Sequence, residues 1–99
     1  MKKRVQKEQN ELFEAILKLR SLTECRNFFR DLCTPSELDE FAYRWRVAFL
    51  LTKKIPYRQI AEKTGVSTTT VGRVARCLKH GHNGYNLILS RQKEENGKL

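Results

Sequence analysis

The 99-residue chain carries 20 lysines and arginines against 11 aspartates and glutamates, a formal net charge of +9 at pH 7, and 39% of its residues are hydrophobic. A charge excess of this size is typical of proteins that bind nucleic acid or an anionic membrane surface, and the hydrophobic fraction excludes a disordered chain. The longest apolar run, Val47 to Leu51, is too short to span a bilayer, and no apolar stretch follows the basic start. We therefore expect a cytoplasmic protein without a signal peptide.

The whole excess of positive charge lies in one half of the chain. Residues 1–40 carry eight basic and eight acidic side chains. Residues 41–91 carry ten basic side chains, and Glu62 is their only acid. The remaining tail adds two residues of each sign. Because an ordinary solvated surface mixes both signs, this segregation predicts a binding face between residues 41 and 91.

The N-terminal patterns predict helices, and the chain as a whole predicts a single all-α domain over residues 1–99. Residues 1–8 are polar and predict a flexible arm. Apolar residues at helical spacing predict a first helix from about Asn10 to Arg20. Ser21 and Thr23 are residues of the type that caps a second helix. The side chains that this second helix would bury are Cys25, Phe28, Phe29 and Leu32.

The central helix has the clearest predicted start. Thr34 is suited to the N-cap, Pro35 to the first turn, and Glu37 completes a capping box. The helix should run to about Thr52. Its predicted apolar stripe comprises Leu38, Phe41, Ala42, Trp45, Ala48 and Phe49. Val47, Leu50 and Leu51 are also apolar, so the second half of the helix is hydrophobic nearly all round. This indicates burial on several sides and the core of a homodimer.

Residues 57–76 fit a helix-turn-helix unit, in which the second helix enters the major groove of DNA. Gly65 is suited to the left-handed residue of the turn, and the small Ala61 to the place where the two helices touch. The apolar face of the second helix comprises Val71, Val74, Ala75 and Leu78. The predicted segments are a flexible arm (residues 1–8), dimerisation helices (11–52), the helix-turn-helix (56–79) and a last helix (85–92).

The opposite face of the second helix carries short hydroxyl side chains and two arginines. Threonine methyl groups contact thymine, hydroxyls and arginines reach bases or phosphates, and Ser67 with the first-turn N–H groups forms an anion site. The predicted DNA-binding residues are Tyr57, Arg58, Ser67, Thr68, Thr69, Thr70, Gly72, Arg73, Arg76 and Lys79. We therefore predict binding to double-stranded DNA by a dimer that reads two half-sites.

The order of these parts resembles the Trp repressor family over roughly residues 11–90. The resemblance rests on Leu32-Cys33-Thr34-Pro35-Ser36-Glu37 at the start of the central helix, on Arg44 within it, and on the helix-turn-helix. It implies an intertwined all-helical homodimer that acts as a transcriptional repressor, not as an enzyme, under the control of a corepressor such as L-tryptophan. The positions that match the family's ligand site are Thr34, Arg44, Arg73 and Cys77. The chain departs from the family pattern at Val74, where the family has a smaller residue, and at Cys77, where it has a polar one.

Several alternatives remain open from the sequence. Helix-turn-helix units also occur in the DNA-binding heads of transposases and recombinases, although no acidic triad is visible here. A third alternative is an adaptor whose basic face binds an acidic protein. Cys77, His80 and His82 would suit a metal- or thiol-responsive regulator, but their spacing matches no established site and we predict no metal. Arg44 has an alternative partner in Glu40, one helical turn away, and Arg73 would then bind phosphate alone.

Overall fold

The structure is a computed structural model that describes residues 2–96, and within that range it contains six helices and no strand. The helices are α1 (Lys2–Ile16), α2 (Leu22–Leu32), α3 (Pro35–Thr52), α4 (Tyr57–Thr64), α5 (Thr68–His80) and α6 (Gly84–Asn96). The all-α prediction is confirmed. The chain forms two compact units, Met1–Leu38 and Asp39–Leu99. None of the helices between residues 2 and 96 is long and apolar enough to cross a membrane.

Helix α1 begins earlier than the sequence predicts. The residues expected to form a flexible arm are helical from Lys2 onward, and Met1 lies outside the described residues. The segment is rich in Lys, Gln and Glu, which are good helix formers. Arg4 and Glu8 are also one turn apart, with 3.9 Å between Nε and Oε1. Local propensity therefore extends the helix although no residue of α1 is buried.

Helix α2 is capped as predicted but is less buried than predicted. Ser21 Oγ accepts a hydrogen bond from the Glu24 N–H at 3.1 Å, and the Glu24 carboxylate accepts one from the Arg20 N–H at 2.8 Å. Of the four side chains expected in the core, three are half-buried, and Leu32 is 49% exposed. The expectation of burial on α2 was wrong for the described chain, because no residue of this helix is buried.

Helix α3 starts with the predicted capping box. The Glu37 N–H donates to Thr34 Oγ1 at 3.2 Å, and the Thr34 N–H donates to Glu37 Oε1 at 2.8 Å. Hydrogen bonding of the Glu37 carboxylate with the Thr34 backbone N–H, and secondly with the Thr34 side chain, lowers the pKa of this carboxyl below its ordinary value. The helix ends at Thr52, the predicted residue.

The core of the second unit includes only part of the predicted stripe on α3. Its buried side chains are Val47, Ala48, Leu50, Ile60, Val71, Val74 and Leu89, which come from α3 to α6. Trp45 of the predicted stripe is roughly 160° around the helix from Val47, since consecutive residues are about 100° apart. Trp45 and Phe49 are only half-buried, and Phe41 is 46% exposed. The stripe therefore contributes to the core through Ala48 and, as half-buried side chains packed against the buried cluster, through Trp45 and Phe49.

Candidate nucleic-acid interface

Helices α4 and α5 pack against each other around a tight turn made of Gly65, Val66 and Ser67. Gly65 adopts φ 79°, in the left-handed region, and its N–H donates to the Ala61 carbonyl at 2.9 Å. A residue with a Cβ is strained in that conformation, so glycine allows the chain to reverse here. This is the turn that the sequence predicts for a helix-turn-helix.

The start of α5 is fixed by a side-chain cap. Ser67 Oγ accepts a hydrogen bond from the Thr70 N–H at 3.1 Å, and it also lies 3.2 Å from Thr70 Oγ1. Thr70 is half-buried, and both its backbone N–H and its hydroxyl take part in this cap, whereas Thr68 and Thr69 are exposed. The N–H groups of Thr68 and Thr69 have no carbonyl in a preceding turn, so they and the helix dipole favour an anion at this end.

The two faces of α5 differ in burial as predicted. Val71, Val74 and Ala75 are at most 6% exposed and face the core. The other face exposes Arg73 and Arg76, together with the two threonines of the first turn. Gly72 lies between them, and a Cβ built on it would meet no atom within 4 Å. The outer face therefore carries short side chains at the start of the helix and basic side chains further along.

The basic side chains around this face have no acidic partners in the described chain. Within residues 2–96 the ion pairs are Arg4–Glu8 and Arg44–Glu40. The exposed cations on α4 and α5 are Arg58, Lys63, Arg73, Arg76 and Lys79. Tyr57, at the start of α4, is 43% exposed. Unpaired cations on one pair of helices create a positive potential that attracts a polyanion.

The residues that the resemblance assigns to a ligand site each have a different environment. Thr34 lies in the first unit and is engaged in the α3 capping box. Arg44 is half-buried, with its Nη2 3.8 Å from Glu40 Oε2 and its Cζ 5.8 Å from the centre of the Phe41 ring. The alternative pairing with Glu40 is thus present in the structure. Arg73 is exposed on the outer face of α5.

Cys77 lines an apolar pocket of about 440 Å³ at the end of α5. The other lining residues are Trp45, Gly81, His82, Gly84, Tyr85 and Ile88. Trp45 and Tyr85 stack with ring centres 6.2 Å apart, an association of α3 with α6 that no local sequence signal could have revealed. Burial raises the pKa of Tyr85, and nearby Cys77 adds to the shift while Arg44 opposes it. Between residues 2 and 96, no group of three or more His, Cys, Asp or Glu side chains is arranged to hold a metal.

Comparison with known proteins gives one consistent result. The family model for the Trp repressor protein matches residues 7–93. The chain is 46% identical over 88 residues to the uncharacterised protein YerC of Bacillus subtilis (strain 168), covering 89% of this chain and 85% of YerC.

Two solved structures share the fold. A TrpR-like protein from Eubacterium eligens ATCC 27750 superposes with a TM-score of 0.81 at 43% identity, covering 84% of this chain and 86% of that one. A candidate Trp repressor from Staphylococcus aureus gives a TM-score of 0.82 at 40% identity, covering 86% and 85%.

Proposed function

The chain belongs to the Trp repressor family, and from that membership we propose that it is a sequence-specific DNA-binding transcriptional repressor. The observation that carries the proposal is the outer face of α5. There, Arg73 and Arg76 are exposed and without ion pairs in the described chain, directly opposite the buried side of the helix. Charges that serve only solubility are usually interspersed with charges of the opposite sign. The concentration of cations on one helix beside its capped N-terminus therefore favours a binding role.

In the proposed complex, the first turn of α5 enters the major groove. Thr68 and Thr69 are short enough to let the helix approach the base edges, and their methyl groups match the C5-methyl of thymine. Arg73 and Arg76 lie one turn apart on the same face and reach guanine or the phosphates. Arg58 on α4 positions the unit by holding the flanking backbone, which fixes register without reading sequence.

We propose that the repressor is a homodimer, because the first unit exposes apolar side chains that nothing in the described chain covers. Phe13 is 55%, Leu17 83% and Leu22 73% exposed, and neither α1 nor α2 has a buried residue. A helical segment this short gains too little from its own hydrogen bonds to persist without such burial. Residues 1–40 carry equal numbers of basic and acidic side chains, so a second copy meets no net repulsion there.

Selection from randomised duplexes tests the proposed function. Full-length protein should enrich a palindromic sequence with half-sites about one helical turn, or 10 base pairs, apart. The same protein with Thr68 and Thr69 changed to Glu should enrich nothing, because two carboxylates would face the groove. Recovery of duplexes without a shared sequence would contradict sequence-specific repression and favour the adaptor alternative.

We also propose that an aromatic amino acid or indole, L-tryptophan being the family's corepressor, controls DNA binding. The observation that favours a ligand is the apolar pocket beside Cys77, with aromatic walls from Trp45 and Tyr85. Arg44 is half-buried and lies 3.8 Å from Glu40, beyond hydrogen-bonding distance, so its guanidinium has capacity left for a carboxylate.

Calorimetric titration with L-tryptophan and with indole tests this second proposal. Binding should release or absorb heat at millimolar ligand and should raise affinity for the selected duplex, because a ligand can only shift a binding equilibrium through differential affinity. Cys77→Phe would fill the pocket and abolish the heat. A flat titration with both ligands would remove ligand control and leave the repressor proposal standing.

A further inference from the structure

A second basic site lies away from the recognition helix, in a cleft between the end of α3 and one face of α6. The cleft has a volume of about 450 Å³ and is lined by Thr52, Lys53, Asn86, Leu89, Ser90 and Lys93. The four lining residues of α6 are spaced so that they share one side of the helix. Leu89 is 4% exposed and forms an apolar floor, while the other five side chains are exposed. The cleft therefore has polar walls that water or a ligand can reach.

The charge of the cleft is positive and unbalanced. No carboxylate lines it, and the ion pairs between residues 2 and 96 involve neither Lys53 nor Lys93. Lys53 Nζ lies 5.3 Å from the centre of the Phe49 ring, and Arg46 Cζ lies 5.1 Å from the same ring. Two ammonium groups that line one cleft without a carboxylate give it a positive potential, which favours an anion there.

Two polar side chains of the cleft walls are held by hydrogen bonds to backbone carbonyls. Thr52 Oγ1 donates to the Phe49 carbonyl at 2.6 Å, and Asn86 Nδ2 donates to the Leu78 carbonyl at 2.8 Å. These bonds fix both side chains and leave their oxygens as acceptors. The remaining donors are the Ser90 hydroxyl, the second N–H of the Asn86 amide and the two ammonium groups. Two cations and a hydroxyl around an apolar floor match a phosphate group with its bound water.

We infer that this cleft binds a phosphate group, independently of the groove-reading face of α5. The phosphate can come from the backbone of DNA beyond the bases that α5 reads, or from a small phosphorylated molecule. The first source rests on the proposed function, because it requires that the protein bind DNA. The second source does not, so the two can be separated by experiment.

The test compares a double variant, Lys53→Gln with Lys93→Gln, against a charge-matched control, Lys3→Gln with Lys7→Gln. All four lysines are exposed, so both proteins should melt like the native chain. In calorimetry with pyrophosphate at low salt, the native chain and the control should bind alike, and the cleft variant at least tenfold more weakly. Ser90→Ala changes no charge and should still weaken binding, because it removes a donor.

The DNA arm uses the duplex selected above in two lengths, one trimmed to the recognised bases and one with flanking sequence. If flanking phosphates occupy the cleft, the cleft variant loses affinity on the long duplex only. Its log–log salt slope there should be shallower by about 0.9 for each phosphate contact removed. The control variant should match the native chain on both duplexes.

Each outcome decides the inference. A loss with pyrophosphate, with the long duplex, or with both supports the cleft and identifies the source of the phosphate. If the cleft variant and the control are indistinguishable in both arms, no phosphate binds there and the inference is wrong. The proposed function is judged separately, by whether the native chain binds the trimmed duplex.

Discussion

At the residue scale, two glycines of the helix-turn-helix have opposite structural roles. Gly65 adopts a positive φ of 79°, where an L side chain is strained. Gly72 lies inside α5, where glycine weakens a helix, yet a Cβ there would meet no atom within 4 Å. The protein itself therefore has no steric need for glycine at position 72. We propose that the missing side chain lets this part of α5 approach DNA closely.

The two glycine-to-alanine substitutions should therefore change the free energy of unfolding in opposite directions. Gly65→Ala should destabilise the fold by about 1–2 kcal/mol because of its left-handed backbone. Gly72→Ala should stabilise it by about 0.5–1 kcal/mol, because alanine is the better helix former. Chemical denaturation measures both, each variant acting as the control for the other. Gly72→Ala should also lower affinity for the selected duplex, and unchanged affinity would show that this part of α5 does not approach DNA.

Arg73 is the side chain whose removal should most affect binding. Arg73→Ala is expected to cost about 1–3 kcal/mol of binding free energy, through loss of a guanine or phosphate contact. Because Arg73 is exposed, the melting temperature should not change. Electrophoretic mobility shift or fluorescence anisotropy gives the affinity, and Arg26→Ala, an exposed arginine of α2, is the control. If Arg73→Ala binds the selected duplex as tightly as the native chain, α5 has been wrongly assigned as the recognition helix.

At the element scale, the helix starts are determined by residues close together in sequence. Ser21, Thr34 and Ser67 each accept a hydrogen bond from an N–H three residues later. Substitution of such a cap by alanine typically costs about 1 kcal/mol. The α3 cap is strengthened further, since Glu37 returns a bond to the Thr34 N–H.

The α3 capping box should make stability depend on pH in a defined direction. The folded-state pKa of Glu37 lies below its ordinary value of 4.5, because the Thr34 N–H donates to the charged form. Its contribution is therefore complete above about pH 4.5 and is lost as the pH falls through the lower folded-state pKa. The difference in melting temperature between the native chain and Glu37→Ala should narrow over that acid range. Glu14→Ala, on α1, is the control, and an equal narrowing there would assign the effect to general acid destabilisation.

At the scale of the whole molecule, helix α3 presents two apolar sides. Val47, Ala48 and Leu50 are buried against the other helices of the second unit. Phe41, which lies one turn before Trp45 on another side of the helix from Val47 and Leu50, is 46% exposed. Burial of one large apolar side chain contributes about 1.5–3 kcal/mol, so an uncovered second side is a considerable loss for a small protein. A second copy of the chain is the partner that we propose covers it.

The dimer predicts a mass and a variant that changes it. Equilibrium sedimentation should give twice the 11.7 kDa mass of the chain. Leu22→Glu places a charge on a side chain that is 73% exposed in the single chain, and should therefore shift the mass toward the monomer. Thr23→Glu introduces the same charge at the next, also exposed, position and is the control. A native chain that sediments as a monomer would favour the head-domain alternative.

The distribution of charge predicts a steep dependence of DNA binding on salt. A dimer that neutralises several phosphates through α4 and α5 should give a log–log slope of about −4 or steeper. The slope is obtained from affinities for the selected duplex between low and physiological salt. A nearly flat response would contradict the assignment of the excess positive charge to phosphate contacts.

Local rules sufficed for much of the helix-turn-helix. Gly65 needs a left-handed backbone, Ser67 caps α5, and the spacing of Val71 and Val74 sets which side is buried, all within a few residues of sequence. The same rules were insufficient at the N-terminus. There, favourable propensities and the Arg4–Glu8 pair make a helix where polarity alone indicated a flexible arm. The contacts of Arg46 and Lys53 with the Phe49 ring could also have been predicted, because these residues lie three and four positions from Phe49.

The sequence by itself determined the all-helical class, the caps, the turn and the location of the positive charge, because each depends on neighbours in the chain. Only the tertiary structure decided which residues of α3 are fully buried: Val47, Ala48 and Leu50 are, whereas Trp45 packs against them half-buried. It also brought Trp45 against Tyr85, and Lys53 into one cleft with Lys93. These choices depend on how helices distant in sequence pack, and an all-round apolar helix or an isolated lysine carries no local record of its partner.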